Sequence, residues 1–524
     1  MAITYSFPPY LLSWTILILC LPLIVLYIAI LPPHKRSFVL GKRYVMPRGP
    51  SGQPLLGNLP SWLQARSERA TKPWLARRAH YGELTTLSMG SRTWVLVNTS
   101  RMINEILAKR TKSTHDRPWL PIAGGLVSRD LRPFLKRAAD WKDGRRLVHH
   151  LLMGPRSKDH GNIMENISLG LLQTYLDEPE AWYLHNYRYA VAIMYKIVTN
   201  NTLDKSRSEL NDLQEVTRTF LEAISSTFVE FFPQLTLLPK FLQFWRPRWE
   251  SVGTFHYNVF QHWWTGMKPL AKRDSEPSFL DTVMGEFNAT DEEVMYLIMA
   301  VIVAGSDNTR ITMNSGIGVC LAYPAAIQRA REELDSVCGG VSLRMPSLDD
   351  LPSLPYMCAV VKEVLRWRPV SPLLPPRLLT DDIEVEGYRF PAGTEFLVNM
   401  IAVGRHGRDD PTDFKPERWF DVSNNEDRAR GDTGIDQGLW QYAFAAGKRS
   451  CVGYKIAQKE ILLAYSRLFY CFNFFPVGEF EVGQLETPTI GEPFPIKVAV
   501  RSPAHERLIR EESEKCTLWG QEWK

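Results

Sequence analysis

One ten-residue segment, FAAGKRSCVG at residues 444–453, constrains this chain more than any other part of its sequence. It places a single cysteine, Cys451, between Gly447 and Gly453 and directly behind a lysine and an arginine. Nearby positive charge, a helix N-terminus or a metal favours the thiolate over the thiol, whose usual pKa is about 8.5. Glycine has no Cβ, so Gly447 and Gly453 allow the backbone to bend and to approach a flat cofactor closely.

The residues that follow this segment predict a helix. Apolar residues recur at helical spacing at Ala457, Ile461, Ala464, Tyr465 and Leu468. Cys451 is therefore expected just before a long amphipathic helix, whose N-terminus directs N–H groups and a positive partial charge at the sulfur. The pattern alone leaves another interpretation open, because free cysteine is also among the most frequently buried residue types.

The segment resembles the haem-binding signature of the cytochrome P-450 family, F-x-x-G-x-R-x-C-x-G. Its five fixed positions are matched by Phe444, Gly447, Arg449, Cys451 and Gly453. The resemblance implies that the cofactor is haem b and that Cys451 is the axial thiolate ligand of its iron. In this family the thiolate pushes electron density toward cleavage of the O–O bond.

The composition indicates a large folded protein of a reducing compartment. Of the 524 residues, 45% are apolar and sixteen are tryptophan, while 23% are charged and the net charge is +5. These values exclude a disordered chain and a strongly basic nucleic-acid-binding protein, so we expect no nucleic-acid partner. The seven cysteines are scattered and form no C-x-x-C pair, which argues against a disulfide framework and against structural zinc.

Residues 11–31 form an apolar run without a charged residue. About twenty helical residues at about 1.5 Å each span a hydrocarbon core of about 30 Å. A cleaved signal peptide is the alternative. However, residues 1–10 carry no positive charge, and the run ends in PPHKR instead of small residues. We therefore expect one retained transmembrane helix that anchors the chain in a lipid bilayer.

Positive charges follow this run and none precedes it, so the positive-inside rule places residues 1–10 in the lumen of the endoplasmic reticulum and the remainder in the cytosol. Four glycosylation sequons would then carry no glycan, at Asn98, Asn166, Asn200 and Asn288. The expected order is a basic, Pro/Gly-rich hinge at 32–58, a catalytic domain at 59–504 and a polar, frayed tail at 505–524.

A second motif lies at the end of a predicted buried helix. Thr290 and Glu293 have the spacing of a capping box, which marks a helix start. Residues 296–305 are apolar on every side, as in a helix that is buried all round. The sequence AGSDNT at residues 304–309 follows, and it resembles A-G-x-D/E-T-T, the oxygen-activation motif of the family.

This resemblance implies that Ala304 and Gly305 lie over the haem. Gly305 would leave room for O2, and a local break in the helix there would admit water. Asp307 would supply protons from solvent. The alternative to a role in oxygen activation is a structural one, in which these residues form a hydrogen-bonded buried polar pair at a kink.

The motif departs from the family pattern at one position. The usual first threonine is Asn308 here, and the hydroxyl comes one residue later, at Thr309. Neighbouring helical residues point about 100° apart, because a turn takes about 3.6 residues, so Thr309 cannot simply replace it. A carboxamide both donates and accepts hydrogen bonds. Asn308 could therefore hold the water that relays protons, or its presence could signal altered chemistry.

Three further residues are candidates for binding the haem propionates. Trp141 and Arg145 share one helix face at i and i+4, and an arginine fork suits a carboxylate. By pattern alone they also fit an ordinary amphipathic helix. Arg377 falls where the family often has a propionate-binding arginine, but the histidine that commonly precedes it is Pro376 here.

Glu363 and Arg366 lie at i and i+3, the spacing of a helical ion pair. Most such pairs are surface pairs. Here they resemble the E-x-x-R motif of the family, which buries both charges with a third partner, and that partner would be Arg418. A buried network of this kind fixes architecture more than it adds stability.

The resemblance implies a mainly α (α+β) fold: a helical wedge with a small β-rich lobe and the haem held between the buried helix and the Cys451 loop. Short strands are expected within 84–97 and 383–398, and an irregular roof over the substrate pocket at 112–135. The sequence has no Rossmann fingerprint and no flavin-like domain. Electrons would therefore come from NADPH through a separate reductase. A basic docking face could include Lys136, Arg137, Lys142, Arg146, Lys448, Lys455 and Lys459.

The function that the resemblance implies is monooxygenation of a small lipophilic substrate, in the style of fungal enzymes of secondary metabolism. One alternative is a haem-thiolate enzyme that catalyses oxidative coupling, dehydration or isomerisation without inserting oxygen, for which Asn308 is the main support. The other is a haem-binding protein without catalytic activity, against which the retained Asp307 and the complete cysteine loop argue.

Overall fold

A helix of 32 residues, Asp291–Ala322, runs through the middle of the protein; we call it the central helix. Its predicted capping box is present, because the Thr290 side chain accepts from the Glu293 N–H and the Glu293 carboxylate accepts from the Thr290 N–H. Most of the residues that follow are buried. Among the described residues it is the one helix long and apolar enough to cross a membrane, and most of it lies in the protein core.

The structure is a computed structural model. It describes residues 31–35, 43–154, 160–224, 226–271, 278–339, 343–420, 443–481 and 493–519. The predicted transmembrane helix and the lumenal N-terminus fall outside the described residues, apart from Leu31. Most of a segment at 487–495 that resembles the last pocket-lining turn of the family also falls outside them.

The described fold is mainly α-helical, as predicted. In chain order the helices are α1 Leu59–Ser67, α2 Thr71–Arg78, α3 Ser100–Ile103, α4 Ala138–Met153, α5 His160–Asp177, α6 Trp182–Thr199, α7 Arg207–Ala223, α8 Phe228–Phe231, α9 Arg246–Met267, α10 Phe279–Glu286, α11 (the central helix), α12 Pro324–Cys338, α13 Pro355–Trp367, α14 Met400–Arg405, α15 Tyr454–Cys471 and α16 Pro503–Ser513. The predicted roof contains a short π-helix at Pro121–Leu126 and a short 3₁₀-helix at Pro133–Leu135.

The strands form one four-stranded sheet and two hairpins. They are β1 Leu84–Met89, β2 Arg92–Val97, β3 Arg377–Leu378, β4 Ile383–Val385, β5 Tyr388–Phe390, β6 Thr394–Val398, β7 Phe472–Pro476 and β8 Ile496–Val500. The larger sheet has the order β1-β2-β6-β3, and β2 and β6 pair in parallel. This sheet places Arg377 at one of its edges, which is how the small lobe contributes to the site described below.

The helix predicted behind Cys451 is α15, which we call the cysteine helix. It packs against the central helix, and the Tyr465 hydroxyl donates to the Thr312 carbonyl. Gly316 permits this contact, because a Cβ there would lie 2.2 Å from the Tyr465 ring. The helix is less amphipathic than predicted, since every residue from Glu460 to Cys471 is buried.

Two local expectations are wrong. The central helix has no break near Gly305, because it is α-helical throughout its length. The tail is not frayed from His505, because α16 spans Pro503–Ser513 and buries Leu508 and Ile509. This helix packs on α5, so residues that look polar in sequence still supply one apolar face.

The packing of α16 predicts a measurable contribution to stability. Ile509 is fully buried, so we expect Ile509→Ala to lower the free energy of unfolding by about 2–5 kcal/mol through lost transfer energy and the cavity that remains. Glu511→Ala, on the exposed face of the same helix, is the matched control and should change it by less than about 0.5 kcal/mol. Urea denaturation measures both; equal effects would mean that the tail contributes nothing specific.

Candidate active site

The loop before the cysteine helix is held in a strained and closely packed form. Gly447 has φ +68°, and a Cβ there would lie 2.1 Å from the Leu107 carbonyl oxygen, so only glycine fits. Ala445 also adopts the left-handed region, with φ +62°, although it is not glycine. The Cys451 N–H donates to the Phe444 carbonyl at 2.7 Å. These contacts fix the direction in which the cysteine enters the site.

The loop does not need a glycine at position 453 for its backbone to bend. The φ of Gly453 is −84°, a value that any residue adopts. A Cβ there would lie 4.0 Å from the Cys451 sulfur and 3.6 Å from Leu152, which are ordinary contact distances. The close approach of Gly453 to a flat cofactor stays a prediction.

Cys451 keeps accessible surface although protein groups surround its sulfur. Burial raises the pKa of the Cys451 thiol, while the Gly453 N–H and the nearby Arg145 cation act in the opposite direction. The protein groups alone therefore do not compensate fully for burying the sulfur anion. A thiolate held here needs a further positive charge, which a bound metal provides.

Four arginines lie together beside this loop; we call Arg117, Arg145, Arg377 and Arg449 the cation cluster. The Arg377 Nη2 donates to the Arg449 carbonyl at 3.0 Å, and Arg145 donates to the Ser450 carbonyl. Trp141 joins them, because its ring lies 4.0 Å from the Arg449 guanidinium carbon and 5.4 Å from that of Arg145. All the predicted propionate residues are therefore brought together.

Two nitrogens in the cation cluster lack hydrogen-bond partners. Nη1 of Arg377 and Nη1 of Arg449 are buried and bond to no described residue. Burial and the neighbouring Arg449 and Arg145 cations lower the pKa of Arg377 to about 9. Burial and Arg145 likewise lower the pKa of Arg449 to about 10, with Asp116 acting in the opposite direction. Such a cluster requires anions, and the two carboxylates of haem b fit both the charge and the unpaired N–H groups.

Sequence reasoning missed Arg117, which belongs to none of the recognised motifs. It is completely buried, and its Nη1 donates to the Pro375 and Pro376 carbonyls at 2.8 and 2.5 Å. Burial and the Arg377 and Arg449 cations lower its pKa. Arg117 therefore brings a cation to Pro376, where the histidine of the family is absent. A charged residue in an apolar stretch is a weak signal, and only the tertiary structure shows its neighbours.

The central helix presents an open stripe, which we define as Ala300, Ala304 and Asn308. Ala304 and Asn308 are exposed and Ala300 is half-buried, although the rest of this helix segment is largely buried. The Asn308 Nδ2 donates to the Ala304 carbonyl at 2.9 Å. This bond leaves the carboxamide oxygen as an acceptor on the open side of the helix.

Thr309 lies on a different face of the helix from Asn308, as expected because neighbouring helical residues point about 100° apart. It is buried, and its hydroxyl bonds to the Gly305 carbonyl at 2.8 Å and to the Glu460 carboxyl at 3.3 Å. Sequence reasoning missed Glu460, which lies on the cysteine helix and has its pKa raised by burial. A neutral carboxylic acid thus joins the cysteine helix to the oxygen-motif helix.

Gly305 has a packing role that the sequence did not predict. A Cβ on Gly305 would lie 2.6 Å from the Met194 side chain, so the missing side chain makes room for α6. Its predicted role in leaving room for O2 stays a prediction. Asp307 is also differently placed from the prediction of a proton supply open to solvent. It is buried and forms an ion pair with Arg310, with N–O distances of 2.8 and 2.9 Å.

The charges of the E-x-x-R motif form one buried network. Glu363 accepts two bonds from Arg366, at 2.7 and 2.8 Å, and one from Arg418 at 2.9 Å. Trp419 Nε1 and the Lys415 N–H also donate to the same carboxylate, at 3.1 and 2.8 Å. The network ties α13 to the segment that contains Arg418.

Loss of the negative charge of Glu363 is expected to lower the free energy of unfolding strongly, although the substitution is small. Glu363→Gln keeps the size of the side chain but leaves the buried Arg366 and the partly buried Arg418 without a counter-charge, so we expect a cost of about 3–5 kcal/mol in the free energy of unfolding. The control is Glu417→Gln, since Glu417 is half exposed and pairs with Arg329. Loss of that surface pair should cost about 0–1 kcal/mol. Denaturant titration of both variants checks the prediction, and it is contradicted if the two costs are equal.

Comparison with known proteins agrees with this site. The Cytochrome P450 family model matches residues 47–491. The cytochrome P450 monooxygenase yanC of Aspergillus niger is 28% identical to this chain over 89% of its length and 91% of that protein. The cytochrome P450 monooxygenase fogE of Aspergillus ruber is 27% identical over 95% of this chain and 94% of that protein.

A solved zebra fish cytochrome P450 structure with abiraterone matches the fold with a TM-score of 0.63, at 22% identity, over 82% of this chain and all of that one. At this identity the match supports the fold alone. The family model covers most of the chain, and the cysteine loop and the cation cluster are in direct contact, which fits a haem-thiolate site. The chain therefore belongs to the cytochrome P450 family of haem-thiolate monooxygenases.

Proposed function

We propose that this cytochrome P450 oxidises a C–H bond of a small lipophilic substrate, in fungal secondary metabolism, with O2 and electrons from NADPH delivered by a reductase. The observation that carries the proposal is the cation cluster beside the Cys451 loop, in which Arg377 and Arg449 keep unpaired N–H groups. The open stripe on the otherwise largely buried central helix supports it. The relatives from Aspergillus are named as monooxygenases of this family, which supports the same reaction class.

In this proposal Cys451 binds the iron, and Arg377 and Arg449 direct their unpaired N–H groups at the propionates. Bound haem supplies the redox centre at which O2 is reduced and the substrate oxidised. The remaining steps belong to side chains of this chain. The Asn308 carboxamide oxygen holds a water on the open side of the helix, from which a proton is delivered. Asp307 can supply protons to that water only when its pair with Arg310 opens.

The first test concerns the sulfur at position 451. Cys451→His retains a side chain that can bind iron but removes the thiolate. We expect this variant to lose the absorbance band of the reduced, carbon-monoxide-treated protein that gives the family its name, together with monooxygenation. Cys516→Ser is the control, because Cys516 lies away from the loop at the C-terminal end of the described chain. An unchanged band in Cys451→His would falsify the assignment of the ligand.

The alternative function, oxidation without oxygen insertion, draws its support from Asn308. The two functions differ in how much of the consumed O2 appears in the product. We expect tight coupling in the wild-type protein and at least about a tenfold lower yield of oxygenated product per NADPH in Asn308→Ala, since a positioned proton donor contributes about 10²–10⁴-fold. Isotope-labelled O2 and product analysis measure this yield.

Asn308→Thr is the matched comparison for that experiment, because it restores the usual residue of the motif. A substantial yield of labelled product from this variant would show that either side chain holds the relay water. Turnover of the wild-type protein without any labelled oxygen in the product would favour the alternative function instead.

The reductase is proposed to dock near the cysteine loop. Lys142 and Arg146 of α4, Lys448 of the loop, and Lys455 and Lys459 of the cysteine helix are exposed. The other two predicted members of this face already have partners, because Lys136 pairs with Glu293 and Arg137 with Asp116. The exposed cations suit an acidic surface of a flavoprotein, and such contacts mainly raise the rate of association.

Association with the endoplasmic reticulum membrane is proposed from two features. One is the apolar run at residues 11–31. The other is the connection between α7 and α9, where Leu237, Phe241 and Phe244 are 85, 84 and 77% exposed. Large exposed apolar side chains next to one another suit a lipid surface.

One of the four glycosylation sequons is closed to modification by the fold itself. Asn98 is buried and bonded to Gly82 and Thr85, so a glycan cannot be attached there in the folded protein.

A further inference from the structure

One buried arginine joins three segments of the chain at the edge of the predicted roof. Arg92 begins β2, and its Nη1 donates to the Glu395 carboxylate of β6. Its Nε donates to the Glu230 carbonyl of α8, and its Nη2 donates to the Trp119 carbonyl at 2.7 Å. Trp119 lies just before the π-helix of the roof, Pro121–Leu126. We call Arg92, Glu230 and Glu395 the clasp, since they hold the sheet, the roof and α8 together.

The Glu230 side chain makes a second connection between α8 and the roof. Its Oε1 accepts from the Ala123 N–H at 2.8 Å. Its Oε2 is buried and bonds to no described residue. Glu230 is 1% exposed, so the carboxyl group is enclosed with one oxygen unsatisfied. Such surroundings are unfavourable for the ionised form of a carboxyl group.

The two acids of the clasp share a single cation. Arg92 and Glu395 form an ion pair, and the other oxygen of Glu395 accepts from Trp94 Nε1 at 3.0 Å. The bond that Arg92 makes with Glu230 goes to the backbone carbonyl and leaves the carboxyl group of that residue aside. The charge of Arg92 is therefore matched by Glu395, and Glu230 is the second acid beside one cation.

Ionisation of Glu230 falls near neutral pH for this reason. The charged groups that face its carboxyl are Arg92 from β2 and Glu395 from β6, and the roof contributes the N–H groups of Ile122 and Ala123. Burial raises the pKa of Glu230 to about 7, and Glu395 adds to the rise, while the Ala123 N–H and the Arg92 cation act in the opposite direction.

The roof ends in a strained stretch of backbone that is linked to the clasp. Arg129 and Asp130 have φ +52° and +56°, in the left-handed region that residues other than glycine rarely adopt. Such residues keep this conformation only while surrounding contacts hold them. Asp130 accepts from Trp119 Nε1 at 3.1 Å, and the Trp119 carbonyl accepts from Arg92. The clasp therefore helps to hold the strained end of the roof in place.

We propose that the clasp is a proton-dependent latch: with Glu230 protonated it holds the roof against α8, and ionisation of Glu230 releases the roof and opens the way to the active site. A buried carboxylate that lacks a cation of its own gains hydration when the roof moves away from α8. The proton passes to solvent and no covalent bond between heavy atoms changes. The inference rests on the proposed function, because the roof is predicted to lie over its substrate pocket, and it adds regulation to that site.

The direction of the pH dependence follows from the difference between the closed and the open form. The closed form binds the proton of Glu230 more tightly, because burial raises the pKa there from its ordinary value of 4.5 to about 7. Closure is therefore most favoured below pH 4.5, weakens as the pH rises toward about 7, and changes no further well above it. Between pH 6 and pH 8 the equilibrium should shift toward the open form by about tenfold.

Hydrogen–deuterium exchange of the holoenzyme measures this equilibrium. The protection of the amides in residues 119–127, corrected for the intrinsic pH dependence of exchange, should fall by about tenfold between pH 6 and pH 8. Residues 312–320 of the central helix serve as an internal control, and their protection should change by less than about twofold. The wild-type protein decides the matter without any variant, because constant protection of the roof overturns the proposal.

Glu230→Gln removes the ionisation and keeps an oxygen that accepts from the Ala123 N–H. Its roof should be equally protected at pH 6 and pH 8, at the level of the wild-type protein at pH 6. Glu250→Gln is the matched control, since Glu250 lies on α9, is exposed and pairs with Arg246. That control should retain the wild-type pH dependence. A fall of about tenfold that persists in Glu230→Gln would assign the effect to another group and overturn the proposal.

tert-Butyl isocyanide tests whether the clasp controls access to the active site, because this haem ligand is uncharged at every pH. Its association rate with the reduced wild-type holoenzyme, followed by haem absorbance, should rise with pH as protection falls, and it should be independent of pH in Glu230→Gln. A constant rate beside falling protection would overturn the role in access. The carbon monoxide band of the same preparation distinguishes either result from failure of the proposed function, because it reports the thiolate ligand directly.

Discussion

Repulsion among buried cations is the constraint around which the site is built. Arg117, Arg377 and Arg449 lie within electrostatic reach of one another, and Arg145 acts on the last two and on Cys451. Their unpaired nitrogens and lowered pKa values show that carbonyl oxygens do not satisfy them. The two carboxylates of haem would match both this charge and the unpaired N–H groups. Arg145 also acts to lower the pKa of the Cys451 thiol, so one member of the cation cluster helps to stabilise the sulfur anion.

The central helix is subject to a different constraint, because it is largely buried and still carries polar side chains. It does so by separating its polar residues onto different faces. Asn308 lies on the open stripe, Asp307 is paired with Arg310, and Thr309 is bonded to the cysteine helix through Glu460. The unbroken helix keeps these directions fixed. A substitution at position 308 therefore changes the polar group on the open stripe without disturbing the contact that Thr309 makes.

The sequence by itself determined the elements and the reaction class. The capping box at Thr290, the helix behind Cys451 and the strands within 84–97 were predictable because they depend on local spacing and periodicity. The family signature pointed to haem because ten consecutive residues position one thiolate. The network of Glu363, Arg366 and Arg418 also followed from the motifs, although its geometry did not.

Only the tertiary structure decided which neighbours each polar group has. Arg117 and Glu460 became part of the site through contacts with residues far away in the chain, which no local pattern records. The reason for Gly305 is Met194 on another helix, and the apolar face of α16 became visible only where it packs on α5. Burial and pairing of charges depend on the sum of all surrounding groups, and that sum exists only after the chain has folded.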